Sequence, residues 1–501
     1  MGIGIVVLGS LVVVCAVVTV PSIGTGYWTW APWIAGTALL FLVAVESLEL
    51  VDVPFIEMSG PSKALVNDTL FVSIHVAICS EPPELVSRTL RALADLHYPN
   101  FEVVVVDNNT ADETLWKPIQ DLCFELGSKF TFYHLATCPG KKAGALNFAL
   151  ANTSQHARAI AVIDSDYEVS PEFLSDLVPE LLEDGVGFVQ GPQDYRDWDD
   201  CWTGRMMYFE YADFFEVSMR ARKSQNAILM HGTMTLIRLE ALKVVGGWSE
   251  WCLTEDSELG LRLLTAGFKG TYRDRTLGRG LVPLSFSDFA RQRGRWVAGG
   301  QQTLAKHWRQ FLPTQHSLTA PQKLHYLRGW APWVRDALLL LTAPVVLATS
   351  FATAIIGSAQ AAPLWGWAVI VLFAHIVMRQ GLIYSIWLRR SRIDMLAATL
   401  TTLILPPTVG SAWLMASIGK PPQFLRTPKR PQDSGNRHSG RLHAAIGASC
   451  VVATLLLAGS GAYITGTAFA LIGASFGISA VYLHMPVRPS QATSVASRSA
   501  R

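Results

Sequence analysis

The chain has 501 residues, half of them hydrophobic and 16% charged, with a mean hydropathy of +0.29. That is too apolar for an ordinary soluble protein and calls for a membrane contribution. A formal net charge of +2 gives no footing for nucleic acid. The seven cysteines (Cys15, Cys79, Cys123, Cys138, Cys201, Cys252 and Cys450) are scattered and form no CxxC pair, which argues against a zinc site or redox motif. Such thiols suit a reducing, cytosolic compartment for the soluble portion. Sixteen tryptophans suit both membrane interfaces and stacking on sugar rings.

Two apolar stretches open the chain, Gly2–Val20 and Trp28–Leu50, each near the roughly 20 residues that a helix needs to cross a bilayer. The first lacks a basic start and the second follows almost at once, so a transmembrane hairpin is expected rather than a signal peptide. From 52 to 328 the pattern is that of an α/β domain. Short β-rich runs, FVSIHVAI (71–78), FEVVVVD (101–107), FTFYHL (130–135) and AIAVID (159–164), alternate with helical stretches at 84–96, 143–153 and 171–184. This alternation predicts a largely parallel sheet, which binds ligands at the carboxyl ends of its strands.

Apolar segments return at 335–357, 364–388, 394–418, 444–462 and 465–483. Arg389, Arg390 and Arg392 mark the end of the second of these as cytosolic by the positive-inside rule. The loop after 394–418 is also basic, and Pro406 and Pro407 interrupt that segment's helix, so it is read as an interfacial or re-entrant piece. The expected layout is a transmembrane hairpin (1–51), a cytosolic α/β domain (52–328) and transmembrane helices (329–393). An interfacial segment with a cytosolic loop (394–442), a second transmembrane hairpin (443–484) and a disordered tail (485–501) complete it. About six crossings result, with both termini cytosolic.

Several residues could carry chemistry. Asp107 ends the run VVVV, where an acid accepts hydrogen bonds from a base or ribose, or else shapes an Asx turn. In PGKKAGALNFAL (139–150), Lys142 stands at a small-residue helix start, where free backbone N–H groups help an ammonium meet a phosphate. Asp164 and Asp166 flank one serine after an apolar strand. They form either a solvated turn or a compact carboxylate pair suited to Mg2+ or Mn2+ on a diphosphate.

In WCLTEDSELGLRLLTAGF (251–268), Thr254 suits an N-cap and Gly267 a helix stop. Glu255 and Asp256 then fall where the helix dipole favours acids, and the functional alternative makes Asp256 a general base. Cys252 beside them reads as packing. In FARQRGRWVAGG, helical spacing puts Gln292, Arg295 and Trp296 on one face: an amide, a guanidinium and an indole. A basic aromatic helix lying on a membrane surface is the other reading.

Taken in order, an acid after an early strand, then DSD, then TED, then QRGRW resembles the membrane-integrated family 2 inverting glycosyltransferases, over roughly residues 70–430. Cellulose, curdlan and hyaluronan synthases belong to that group. The resemblance implies a GT-A-type (Rossmann-like) cytosolic glycosyltransferase domain inserted between transmembrane α-helices. It also implies roles. Asp107 contacts the uracil end of a UDP-sugar, with Lys142 nearby. Asp164 and Asp166 form the DxD motif on Mg2+ or Mn2+, Asp166 being the more direct ligand, and Asp256 is the catalytic base. Gln292, Arg293, Arg295 and Trp296 match QxxRW, the two arginines on the donor side and Gln292 and Trp296 toward the acceptor. Glu255, with Gly232 and Thr233 of HGTMTLIR, lines the acceptor site. Phe424, Arg426, Thr427 and Lys429 are similar to the FxVTxK gating loop of cellulose synthases, with Thr427 and Lys429 reaching the donor.

More narrowly, VDNNT, PGKKAGALNFAL, IDSDY, VQGPQDYR and HGTMT look like the bacterial cyclic β-glucan and β-1,3-glucan synthases. Two departures stand out: Cys79-Ser80-Glu81 replaces the family's YNE, and Arg426 replaces the valine of the gating loop. The expectation is transfer of glucose from UDP-glucose to a growing β-glucan, β-1,3-linked, coupled to export across a bacterial inner membrane. Alternatives are a β-1,4-glucan synthase, a non-processive transferase acting on a lipid acceptor, and a transporter with a nucleotide-binding domain.

Overall fold

The structure, a computed structural model, describes residues 30–52, 70–355, 363–421 and 439–485. The expected crossing Gly2–Val20, the loop carrying Phe424, Arg426, Thr427 and Lys429, and the tail after 485 lie outside the described residues.

After α1 (Trp30–Ser47), the expected runs fold as β1 (Val72–Ile78), α2 (Pro83–Ala94), β2 (Phe101–Asn108), α3 (Glu113–Glu125), β3 (Phe130–Leu135), α4 (Lys141–Ala151) and β4 (Ala159–Val162). Then come β5 (Glu168–Val169), α5 (Phe173–Leu181), β6 (Val186–Gln190), β7 (Asp194–Arg196), α6 (Trp202–Asp213) and β8 (Thr235–Arg238). The domain ends with α7 (Glu255–Thr265), β9 (Lys269–Tyr272), β10 (Gly278–Leu281) and α8 (Phe286–His307).

Seven strands form one sheet in the order β3-β2-β1-β4-β8-β6-β9, and β5-β10-β7 form a second. Within the large sheet β8 alone opposes its neighbours β4 and β6; the other pairings are parallel. The sheet is therefore mixed, and parallel where the expected strands lie. β1 and β2 are buried on both faces, which is why they read as continuous apolar runs.

The later helices are α9 (Ala320–Ile355), α10 (Pro363–Leu382), α11 (Arg392–Ile404), α12 (Pro406–Ser417), α13 (Ser439–Gly459) and α14 (Tyr463–Leu483). Among the described residues six stretches are long and apolar enough to cross a membrane: Trp30–Ser47, Ala320–Ser350, Pro363–Trp387, Arg392–Ser417, Gly440–Gly459 and Tyr463–Leu483. Arg392–Ser417 meets that measure as two helices broken at Leu405, where Pro406 and Pro407 open α12.

α9 starts well before the apolar run at 335, because Thr319 and Gln322 cap it reciprocally. The Thr319 N–H donates to Gln322 Oε1 at 2.9 Å, and the Gln322 N–H to Thr319 Oγ1 at 3.3 Å. This early start lays Tyr326 and Trp330 against Phe311 of the α/β domain. One apolar core then runs from Met230 through Phe289 and Val297 of α8 to Trp330, Ile404 and Trp413.

On the other side of the sheet, Arg273 just beyond β9 grips Asp176 of α5 through two hydrogen bonds, 2.9 and 3.1 Å, both side chains being buried. Replacing Arg273 by Met leaves the buried Asp176 carboxylate without its bidentate partner. We expect that to cost about 3 kcal/mol, read as a lower thermal midpoint of the purified protein in nanodiscs.

Candidate active site

The sheet's carboxyl edge and the start of α7 meet at Lys142. This residue opens α4 and points its Nζ at Asp164 Oδ1, 2.6 Å away, with Glu255 Oε1 at 3.9 Å. Burial alone would lower the ammonium, but Asp164, Glu255 and Asp256 hold it above its usual range. Asp164 lies two residues past the end of β4, and its N–H donates to Thr233 Oγ1 at 3.1 Å. Thr233 is thus a buried tie between the strand end and the HGTMT segment. Gln190 clamps that segment from below: its amide donates to Thr233 O, and its Oε1 accepts from Thr235 and from the His231 N–H.

Asp256 is the second residue of α7 and turns its carboxyl into the same space. Desolvation and the neighbouring Glu255 push it up to about 7, against the pull of Lys142. Thr254 holds the N-cap position, yet its side chain makes no capping bond. The hydroxyl turns instead toward Gly299 of α8, where a Cβ would collide with it. Gly267, at φ +90°, ends the turn after the helix as expected. Burial raises the Cys252 thiol to about 11, consistent with a packing role.

Room for the Asp256 carboxylate comes from Gly232. Its φ is +83°, and a Cβ there would stand 2.8 Å from Asp256 Oδ2 and 3.6 Å from Lys142 Nζ.

The QRGRW run lies on α8 as expected, and Gln292, Arg293, Arg295 and Trp296 all face one cavity of about 380 Å³ that also holds Lys142 and Asp256. Gln292 accepts from the Tyr211 hydroxyl. Arg293 pairs with Glu210 of α6 and lies over the Tyr211 and Trp296 rings, 4.6 and 4.5 Å from their centroids. Burial lowers its guanidinium to about 9. Arg293 therefore braces the wall, while Arg295 and Trp296 complete it.

The two acids of DSD have different partners. Asp164 lines the cavity, whereas the buried Asp166 accepts from the Leu281 N–H of β10 at 3.1 Å. Among the described residues no three His, Cys, Asp or Glu side chains gather around a common point for a metal. Two carboxylates one residue apart still fit a hard divalent cation that takes its remaining oxygens from a diphosphate and water. Asp107 stands further along the rim, on β2. Its Oδ1 accepts from Thr110 at 2.6 Å and its Oδ2 from His134 Nδ1 at 2.7 Å, and burial is the main cause of its raised pKa.

Two features of this cavity escaped sequence reasoning. His231 lines the cavity with both ring nitrogens buried and without a hydrogen-bond partner, and burial lowers it to about 3, leaving it neutral. The signal was present in HGTMT but hidden behind the glycine and threonine. The cavity also continues among the apolar helices to Glu46, Arg335, His375, Arg379 and Gln380. Polar residues inside 364–388 were the available sign.

Residues 159–413, half of the chain, match the family described as Glycosyl transferase family group 2. Glucomannan 4-beta-mannosyltransferase 7 of Arabidopsis thaliana is 26% identical over 44% of this chain and 41% of its own length. Beta-monoglucosyldiacylglycerol synthase of Trichormus variabilis is 28% identical over 54% of this chain and 57% of its own. The chain thus spans about half the length of these curated relatives. In fold it is similar to a mannosyltransferase from Pyrobaculum calidifontis, solved in complex with GDP-Man and Mn2+. That likeness has a TM-score of 0.54 and 18% identity, covering 76% of this chain and 99% of the other.

Gly232→Ala should push the Asp256 carboxylate aside and strain the backbone. The expected result is a loss of transfer activity on the order of 100-fold with the fold retained, checked by a transfer assay beside a thermal melt.

Proposed function

This chain belongs to glycosyl transferase family group 2, and on that premise we propose that it is an inverting, membrane-integrated synthase that moves glucose from UDP-glucose onto a growing β-glucan, β-1,3-linked. The observation that carries the reading is one cavity holding Asp256, the Lys142–Asp164 pair and Trp296 together. The narrower choice of UDP-glucose and a β-1,3 linkage rests on the motif likeness of VDNNT, PGKKAGALNFAL and HGTMT to cyclic β-glucan and β-1,3-glucan synthases. The arginines at 389, 390 and 392 support a cytosolic α/β domain at a bacterial inner membrane.

In the proposed reaction Asp256 accepts the proton of an acceptor hydroxyl as that oxygen attacks the anomeric carbon. The bond from that carbon to the diphosphate oxygen breaks, UDP leaves with the electron pair, and an α-linked donor yields a β-linked product. Lys142 and Arg295 meet the departing negative charge. A divalent cation held by Asp164 and Asp166 would supply further neutralisation of the diphosphate. Trp296 offers a flat apolar face to the acceptor ring, and Gln292 offers hydrogen bonds to its hydroxyls. Glu255 and the Gly232–Thr233 segment frame this acceptor side, and Thr427 and Lys429 are assigned to closure over the donor.

The cavity's continuation past Trp333 to Arg379 and Gln380 supports a path for a polyhydroxylated chain into the helices. Transfer of one sugar to a lipid is the second reading, in line with the name of the Trichormus relative. Charged and amide walls suit sugar hydroxyls better than acyl chains, which favours the polymer.

Asp256→Asn should lower kcat by about 100-fold to 10,000-fold while UDP affinity stays near wild type. Near-normal transfer by that variant would remove the base assignment. Since a carboxylate raised to about 7 works only when deprotonated, kcat/KM should fall about tenfold per pH unit below 7 and level off above it. Incubating the purified protein with a panel of UDP-sugars and Mg2+ or Mn2+, then sizing and digesting the product with linkage-specific glucanases, tests the rest. Short glycolipids alone would defeat the polymer reading, and no donor-dependent release of UDP would return the transporter alternative.

A further inference from the structure

The reading of Asp107 as a direct contact to the donor base meets a geometric difficulty. Its side chain is only 2% exposed, and both carboxylate oxygens already accept short hydrogen bonds, from Thr110 Oγ1 and His134 Nδ1. Thr110 in turn accepts from the Ser80 N–H at 2.7 Å, so the acid also anchors the loop after β1. The group that reaches outward from this network is His134. It lies directly across from Asp107 in the β2–β3 register and its side chain is 24% exposed.

The imidazole is held in one pose. A carboxylate is an acceptor, so Nδ1 directs its proton to Asp107 and Nε2 is the ring nitrogen turned away from that pair. Trp116 stacks on the ring with centroids 4.3 Å apart and planes 17° from parallel. The loop leading onward to Lys142 is fixed too, because Asn109 exchanges two hydrogen bonds with the Cys138 backbone, at 2.8 and 3.0 Å. His134 and the Lys142–Asp164 pair thus stand on one rigid rim. Three strand spacings separate β3 from β4 in the order β3-β2-β1-β4, roughly 14 Å at the usual interval between strands. That is the reach of a nucleoside diphosphate laid across the strand ends. The loop after β1, Cys79-Ser80-Glu81, brings no aromatic ring of its own to this end of the site.

We propose that His134, oriented from beneath by Asp107 and from the side by Trp116, is the residue that reads the donor's nucleobase, its Nε2 accepting from an imino N–H. Uracil carries such a donor, and cytosine has an acceptor nitrogen in its place. His134 is then a binding residue and Asp107 a positioning residue that fixes its tautomer. This rests on the nucleotide-sugar reading of the site above.

Equilibrium titration of the full-length protein in nanodiscs with UDP, CDP and inorganic pyrophosphate tests it, comparing wild type with His134→Ala and His134→Asn. Asparagine can keep the bond to Asp107 but has no atom at the Nε2 position. Wild type should prefer UDP to CDP by about tenfold or more. Both variants should lose that preference while pyrophosphate affinity, which reports the intact diphosphate end, is unchanged. If His134→Asn keeps the wild-type ratio, or if wild type binds UDP and CDP equally, His134 does not read the base and the donor reading survives. If wild type binds neither nucleotide, the donor reading itself fails and the proposal falls with it.

Discussion

The site depends on one ammonium set among carboxylates from two separate segments. Asp164 arrives at the end of β4, and Glu255 and Asp256 arrive at the start of α7, far along the chain. Acids gathered this closely in a closed space repel one another and take up protons. Lys142 offsets that repulsion, at 2.6 Å from Asp164 and 3.9 Å from Glu255. The offset is partial: Asp256, next to Glu255, still titrates near 7. In the proposed reaction that makes it a base matched to neutral pH. Gly232 serves the same arrangement by leaving the volume in which the Asp256 carboxylate stands.

The wall opposite these charges belongs to a helix shared by two bodies. α8 carries Gln292, Arg295 and Trp296 on its cavity side and packs Val297 into the core that continues to Trp330 and Trp413. Gly300 on the same helix lets Trp333 of α9 approach closely. Further in, Arg379 of α10 bridges Asp213 of α6 and Glu49, and Arg335 joins Glu46 and Asp336. Each of these arginines is held between two acids, so neither guanidinium is buried unpaired. The charged site and the apolar helices are therefore parts of one packed structure, and residues of both line one cavity.

Much of this was legible in the sequence. The four β-rich runs became β1 to β4 almost residue for residue, since strands buried on both faces leave unbroken apolar runs. Lys142, Asp164, Asp256 and the QRGRW face were found from position and helical spacing, and they do meet. What was hidden depended on tertiary context. The reversal of β8 leaves no local mark, because a four-residue strand reads the same locally whichever way it runs against β4 and β6. The early start of α9 had a mark, the TAPQ capping pair, but hydropathy alone pointed to 335. Thr254 looked like a cap and is one by position only, its hydroxyl drawn to Gly299 by packing. His231 and His134 were passed over because a histidine's use is decided by what it faces, and spacing does not encode that.

The same electrostatics bear on the order of events in the proposed reaction. A diphosphate laid at the start of α4 meets the Lys142 ammonium that otherwise answers to Asp164 and lowers Asp256. Its arrival shares that cation, and with the diphosphate's own charge offset by a divalent ion, the weakened pull of Lys142 would leave the Asp256 carboxylate the stronger base as the donor settles. When UDP departs with its charge, the pull of Lys142 on Asp256 is restored and the acid releases its acquired proton more readily. Base strength then rises with the donor present and relaxes with product release. That cycle needs no movement of Asp256 itself, only a change in what the neighbouring ammonium is paired with.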